Sequence, residues 1–188
     1  MKRATHIPRS QAEHGGALTF RKRKSRRSLD IRRPVHIVLR SDLAKGRRSL
    51  KKNKEIVERV LGKFSRRFRI RIYQTAICGN HIHCLARAYR KRDLQNFFRV
   101  FAGQVAQEIL RKYPLQKHEK KAHRGGTHPK NQKTFWSLLL YSRVVSWGRD
   151  FGNVVRYIIQ NTLESLGLIP YQERKSRFVM GRYPENSS

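Results

Sequence analysis

The feature that most constrains this chain is a pair of alternating stretches joined by a tight turn. Arg69-Ile70-Arg71-Ile72-Tyr73-Gln74-Thr75-Ala76-Ile77 alternates apolar with polar side chains, and His81 to Ala88 follows after Gly79-Asn80. Period-two alternation predicts half-buried β-strands, and a Gly-Asn dipeptide between two such runs predicts a hairpin. A two-stranded hairpin is marginal in water by itself, so the rest of the chain must extend the sheet and cover it.

The flanking sequence offers both. Pro34 opens Val35-His36-Ile37-Val38-Leu39-Arg40, which reads as a first strand with Pro tolerated at its start. A polar loop runs from Ser41 to Ser49. From Asn53, the apolar residues Ile56, Val57, Val60, Leu61, Phe64 and Phe68 recur at helical spacing. After the hairpin, Asp93 reads as an N-cap, with Leu94, Phe97, Phe98, Phe101, Val105, Ile109 and Leu110 forming one stripe down to Lys112. That stripe predicts core packing for the three phenylalanines. Residues 113–133 read as a long basic loop, and 135–145 as a fourth strand.

A last helix has Asp150 as its expected N-cap, Gly167 just past its end and Pro170 beyond. Placing its residues every 100° puts Phe151, Val154, Val155, Ile158, Ile159, Leu163 and Leu166 on one side and Asn153, Tyr157, Asn161 and Glu164 on the other. The order strand, helix, strand, strand, helix, strand predicts an α+β fold. It is a ferredoxin-like βαββαβ antiparallel sheet with an additional C-terminal helix. Three segments follow: a basic N-terminal arm over 1–33, a domain over 34–171, and a basic polar tail over 172–188.

Charge narrows the function. The chain of 188 residues carries 44 Lys and Arg against 12 Asp and Glu, a formal net charge of +32. Such a protein repels itself, and a polyanion is the compensating partner. Within residues 1–33 alone, eleven Lys and Arg face only Glu13 and Asp30. No apolar run of 18 residues exists to span a membrane, and the basic N-terminus lacks the apolar segment of a signal peptide. The two cysteines make no disulfide framework. These features predict a cytoplasmic, nucleic-acid-associated protein. Arg40, Arg47, Arg48, Lys51, Lys52, Arg71, Lys120, Lys121, Arg124 and Lys130 are the candidate phosphate contacts.

The chemistry concentrates in Asn80-His81-Ile82-His83. Residues i and i+2 of a strand share a face, so the two imidazoles stand together while Ile82 and Cys84 point into the core. Two imidazoles can hold one divalent cation. A zinc site built from Cys78, Cys84 and the histidines is disfavoured, because the spacing is wrong for a finger and Cys84 faces away. On the last helix, Tyr157 and Asn161 lie one turn apart on the polar face. If that face docks over the histidine strand, one site gathers two imidazoles, an amide and a phenol. A phenol can act as a covalent nucleophile at phosphorus once deprotonated, and Mg²⁺ or Mn²⁺ suits phosphate oxygens.

Asn80-His81-Ile82-His83 resembles the metal-binding motif of the single-tyrosine HUH transposases. The similarity is strongest to the REP-associated tyrosine transposases. Tyr157-Ile158-Ile159-Gln160-Asn161, with Gly167-Leu168-Ile169 after it, resembles their nucleophile helix, and Phe135-Trp136 with Arg143 and Val144-Val145 falls where they carry a Trp-rich strand. The resemblance spans about Pro34 to Ile169. It implies His81, His83 and Asn161 as ligands of Mg²⁺ or Mn²⁺, with Gln160 the alternative third ligand, and Tyr157 as nucleophile. It also implies a 5′-phosphotyrosine intermediate on single-stranded or hairpin DNA, in monomers or homodimers. Cys78-Gly79 stands where the family usually has Met-Pro, and Thr162 where it has Pro. The competing reading is a non-catalytic, basic nucleic-acid-binding module of the same fold.

Overall fold

The computed structural model describes residues 12–19, 23, 26–115 and 134–172. Its elements in chain order are β1 (Glu13–His14), β2 (Val35–Arg40), α1 (Lys54–Arg67), β3 (Ile70–Ile77), β4 (His81–Ala88), α2 (Lys91–Lys112), β5 (Tyr141–Val144) and α3 (Arg149–Leu166). The five strands form one sheet in the order β1-β5-β2-β4-β3, every neighbouring pair antiparallel. Strands β2 to β5 with α1 and α2 make the expected βαββαβ arrangement, and α3 is the expected extra helix.

Alternation decides which side chain faces which layer. Val35, Ile37 and Leu39 of β2 and Ile82, Cys84 and Ala86 of β4 point to one face, where they join Val57, Val60 and Phe64 of α1 and Phe97, Phe101, Val105 and Ile109 of α2 in the main core. Burial inside this core pushes the Cys84 thiol up to about 12. Phe97 and Phe101 stack at 5.5 Å and both are fully buried, as the stripe predicts. Replacing Phe101 by alanine removes a ring that this core cannot refill. The expected loss is about 3–5 kcal/mol of stability, read as a lower urea midpoint with an unchanged slope.

The opposite face is covered only in part. Ala76, Cys78, Leu85, Val145, Val154 and Ile158 form a second, smaller cluster beneath α3. Three expectations change here. Asp150 is not the N-cap of α3. Gly148 holds that position, and Asp150 sits in the first turn, reaching back to the Ser146 N–H at 2.9 Å. Asp93 likewise lies in the first turn of α2, behind an Arg90 N-cap. Gly167 does end α3, in a left-handed conformation at φ 78° that suits glycine. The buried stripe of α3 runs through Val154, Ile158 and Asn161, leaving Ile159 41% and Leu166 54% exposed. A docked helix presents a spacing of three and four, so the polar positions 157 and 161 turn toward the sheet with 154 and 158.

The fourth strand is shorter than 135–145, beginning only at Tyr141. Upstream, isolated hydrogen bonds rather than a ladder hold the chain, among them Ser137 N–H to the Arg40 carbonyl and Gly16 N–H to the Leu139 carbonyl, both 2.9 Å. Trp136 donates its indole N–H to the Ala102 carbonyl of α2 at 2.8 Å, and Ser41 Oγ donates to the Phe135 carbonyl. Within 1–33, residues 13–14 add a short edge strand against β5, and Ala12 and Leu29 are buried in the main core. Gly15 makes this turn possible. Its φ is +86°, and a Cβ there would run into the Leu140 carbonyl oxygen.

Candidate active site

The face that α3 covers carries the residues singled out by the sequence. His81, His83, Leu85 and Arg87 share it along β4. The register sets Arg40 opposite His81 and Val38 opposite His83 on β2, and Ala76 opposite His83 on β3. The two imidazoles lie edge to face with centroids 4.9 Å apart. Tyr157 meets them from α3, its ring 5.3 Å from that of His83 at 86°. The docking on which the shared site depends is therefore present in the fold.

Hydrogen bonds orient both imidazoles. His81 Nδ1 lies 2.8 Å from Asn80 Oδ1, an acceptor, which assigns the proton to Nδ1 and directs Nε2 outward as the electron-pair donor. His83 is buried, and its Nδ1 lies 3.2 Å from His36 Nε2. The two rings stack at 5.3 Å and 18°, and the His36 ring also stands 6.0 Å from Tyr157. Burial, reinforced by nearby Arg143 and opposed by Asp150, lowers the His36 pKa to about 3. His36 is thus neutral around pH 7. Arg143 and Asp150 form a two-pronged ion pair at 3.0 and 3.1 Å, which fastens β5 to the first turn of α3. His36 is the residue that sequence reasoning missed. Its place opposite the apolar positions of β2 was legible, but its neighbour on β4 was not.

Asn161 is buried at the far end of α3. Its Nδ2 donates to the Tyr157 carbonyl at 2.7 Å, and its own carbonyl accepts from Cys78 Sγ at 3.7 Å. The amide nitrogen is thus engaged within the helix. Gln160 is half-buried and bonds Glu164 and Gln172 at 2.9 and 3.2 Å. Among the described residues, no group of three or more His, Cys, Asp and Glu is placed to hold a metal ion.

The candidate phosphate contacts divide in space. Arg40, Arg47, Arg48, Lys51 and Lys52 belong to the segment from the end of β2 to the start of α1, beside the β3–β4 turn. Their loop is tied to that turn by Leu50 N–H to the Gly79 carbonyl and Ser41 N–H to the Asn80 carbonyl, both 2.8 Å. Lys51 also donates to the Ser165 carbonyl in the last turn of α3, where a cation suits the helix dipole. Arg71 stands apart, paired in register with Arg87 toward the other end of the sheet. Lys120, Lys121, Arg124 and Lys130 lie outside the described residues. Tyr73 packs edge-on against Trp147 and Phe151. No helix of the described residues is long and apolar enough to cross a membrane.

Comparison with known proteins agrees with this architecture. A solved structure of a REP-associated tyrosine transposase bound to a REP hairpin aligns with a TM-score of 0.54 at 14% identity, over 76% of this chain and 73% of that one. A candidate transposase from Deinococcus radiodurans aligns at 14% identity and a TM-score of 0.42, over 74% of this chain and 97% of that one. The comparison with curated proteins returns no match. The family described as "Transposase IS200 like" matches residues 32–161, spanning strands β2 to β5, helices α1 and α2, and most of α3. The chain belongs to the IS200-like transposases, a family whose activity is DNA transposition.

Proposed function

We propose that this protein cuts and rejoins one DNA strand through a covalent bond to Tyr157, on single-stranded or hairpin DNA. The observation that supports this most directly is the approach of Tyr157 to His83 at 5.3 Å, across 74 positions of sequence. Tyr157 loses its phenolic proton and attacks the scissile phosphorus. A tyrosine O–P bond forms as the P–O3′ bond breaks, and the departing 3′ oxygen takes up a proton. One strand then carries a 5′-phosphotyrosine and the other a 3′-hydroxyl. Attack of a 3′-hydroxyl on that ester reverses the sequence, rejoins DNA and releases Tyr157.

The residues present fit a divalent metal held by His81 Nε2, His83 Nε2 and an amide oxygen, that of Asn161 in preference to Gln160, because Asn161 lies on the buried stripe of α3 while Gln160 is half-exposed. Bound Mg²⁺ or Mn²⁺ would polarise the phosphate and offset its developing charge. Arg40 and the basic loop at the β3–β4 turn would hold the flanking phosphates. His36 has a positioning role. For His83 to offer its Nε2 electron pair, its Nδ1 must carry the proton and donate to His36 Nε2, so His36 holds both tautomer and ring plane. A His36→Phe protein keeps a packed ring but loses the acceptor, and is expected to bind Mn²⁺ about 10–100-fold more weakly. His36→Gln, with an acceptor oxygen, should recover part of that loss in calorimetric titration.

The test of the whole reading is direct. Single-stranded DNA incubated with the protein and Mn²⁺ should yield a species that stays joined to protein on a denaturing gel. DNA binding without that species, under conditions where a known transposase forms its adduct, would favour the non-catalytic binding module instead.

A further inference from the structure

A second feature lies on the same sheet face, at the opposite end of α3. Arg71 and Arg87 stand directly across from one another on β3 and β4. Like charges so paired repel, and among the described residues neither arginine makes an ion pair with a carboxylate. Each lies instead over aromatic rings. Arg71 sits 5.2 Å from the centre of Tyr73, while Arg87 sits 5.7 Å from Tyr89 and 5.9 Å from Trp147. Tyr73, Trp147 and Phe151 pack together behind them, with centroids 5.1–5.8 Å apart.

Two of these rings are not core. Tyr89 is 68% exposed and Trp147 47% exposed, although the indole is held in place by its N–H bond to the Arg32 carbonyl at 2.9 Å. The other tryptophan, Trp136, is turned inward toward α2. A fixed but half-open indole, an open phenol and two cations without carboxylate partners make a surface for flat, anionic partners. Unpaired nucleotides satisfy both requirements, since their bases stack on rings while their phosphates meet the guanidinium groups.

Position ties this surface to the site. Phe151 precedes Tyr157 by six residues of helix, about 9 Å, and Arg87 follows His83 by four residues of strand, about 14 Å. At about 3.4 Å per stacked nucleotide, these spans correspond to about three or four nucleotides. Resting on the reading of Tyr157 as the cleavage residue, we propose that Trp147, Tyr89, Arg87 and Arg71 form a stacking platform. It would hold unpaired bases about three or four nucleotides from the scissile phosphate. Duplex DNA hides its base faces and would gain nothing there.

The test uses the full chain as Trp136→Phe, in which Trp147 is the only indole, combined with Tyr157→Phe to prevent covalent reaction. The probes are a 12-nucleotide oligothymidylate and an abasic oligomer of the same length, which keeps the phosphates and lacks the bases. Oligothymidylate should quench Trp147 emission and the abasic oligomer should not, although both bind through charge. Trp147→Ala and Arg87→Gln should each weaken oligothymidylate binding by about 10–100-fold while changing abasic binding much less. Equal quenching by both probes, or none by either, would overturn the platform. If a variant fails to fold, the quenching comparison still decides, because it needs neither of them. Adduct formation by the unmodified protein is scored separately. A missing adduct with quenching intact removes the cleavage reading and leaves the platform, and the converse removes the platform alone.

Discussion

Tyr157→Phe is expected to lower covalent adduct formation by a factor on the order of 10³ or more, because it removes the atom that bonds to phosphorus. The same substitution leaves the ring in place against His83 and His36. Fold and DNA affinity should therefore change little, with a stability difference of about 1 kcal/mol or less for the lost hydroxyl. That contrast makes the variant informative. An unrelated surface tyrosine would leave the adduct intact when replaced, whereas a purely structural one would lower melting temperature and activity together. An undiminished adduct in Tyr157→Phe would mean that another nucleophile acts. Loss of DNA affinity in proportion to loss of adduct would place Tyr157 in binding instead of chemistry.

His81→Ala is expected to weaken Mn²⁺ binding by roughly 100-fold or more, since one of two imidazole donors disappears. His81 is half-buried at the mouth of the site, so this protein should melt close to the unmodified one. His83→Ala should weaken Mn²⁺ binding as strongly and also cost stability, about 1–3 kcal/mol, because His83 is buried and bonded to His36. Calorimetry or Mn²⁺ paramagnetic resonance reads the first effect and urea unfolding the second. The pattern to look for is metal affinity lost in both variants with stability lost mainly in one. Chelation by EDTA should abolish the adduct in the unmodified protein, and excess Mn²⁺ should restore it. Unchanged Mn²⁺ affinity in His81→Ala would remove that residue from the ligand set.

Local chemistry made most of the elements legible. Alternation around the Gly79-Asn80 turn marked the β3–β4 hairpin, and the 3.6-residue recurrence in 54–67 and 91–112 marked the two covering helices, because burial on one face imposes those periods. The helix starts were less legible. Asp93 and Asp150 both have capping chemistry, yet each lies inside its helix, Asp150 because Arg143 and the Ser146 N–H draw its carboxylate. The apolar run 135–140 has the composition of a strand. It is not paired as a ladder, since the Trp136 indole bonds the Ala102 carbonyl of α2 and the Phe135 carbonyl accepts from Ser41 Oγ.

By itself, the sequence determined the order of elements from β2 to α3, the shared face of His81 and His83, and the charge that calls for a polyanion. All three depend on neighbours within a few residues or on a simple sum. Only the tertiary structure decided that Tyr157 faces His83, that His36 lies behind it, and that Arg71 belongs with Arg87 and Trp147 away from the histidines. Each of these is a contact between segments far apart in the chain. Strand register and helix rotation set them, and both are fixed by burial of the whole sheet rather than by any local spacing.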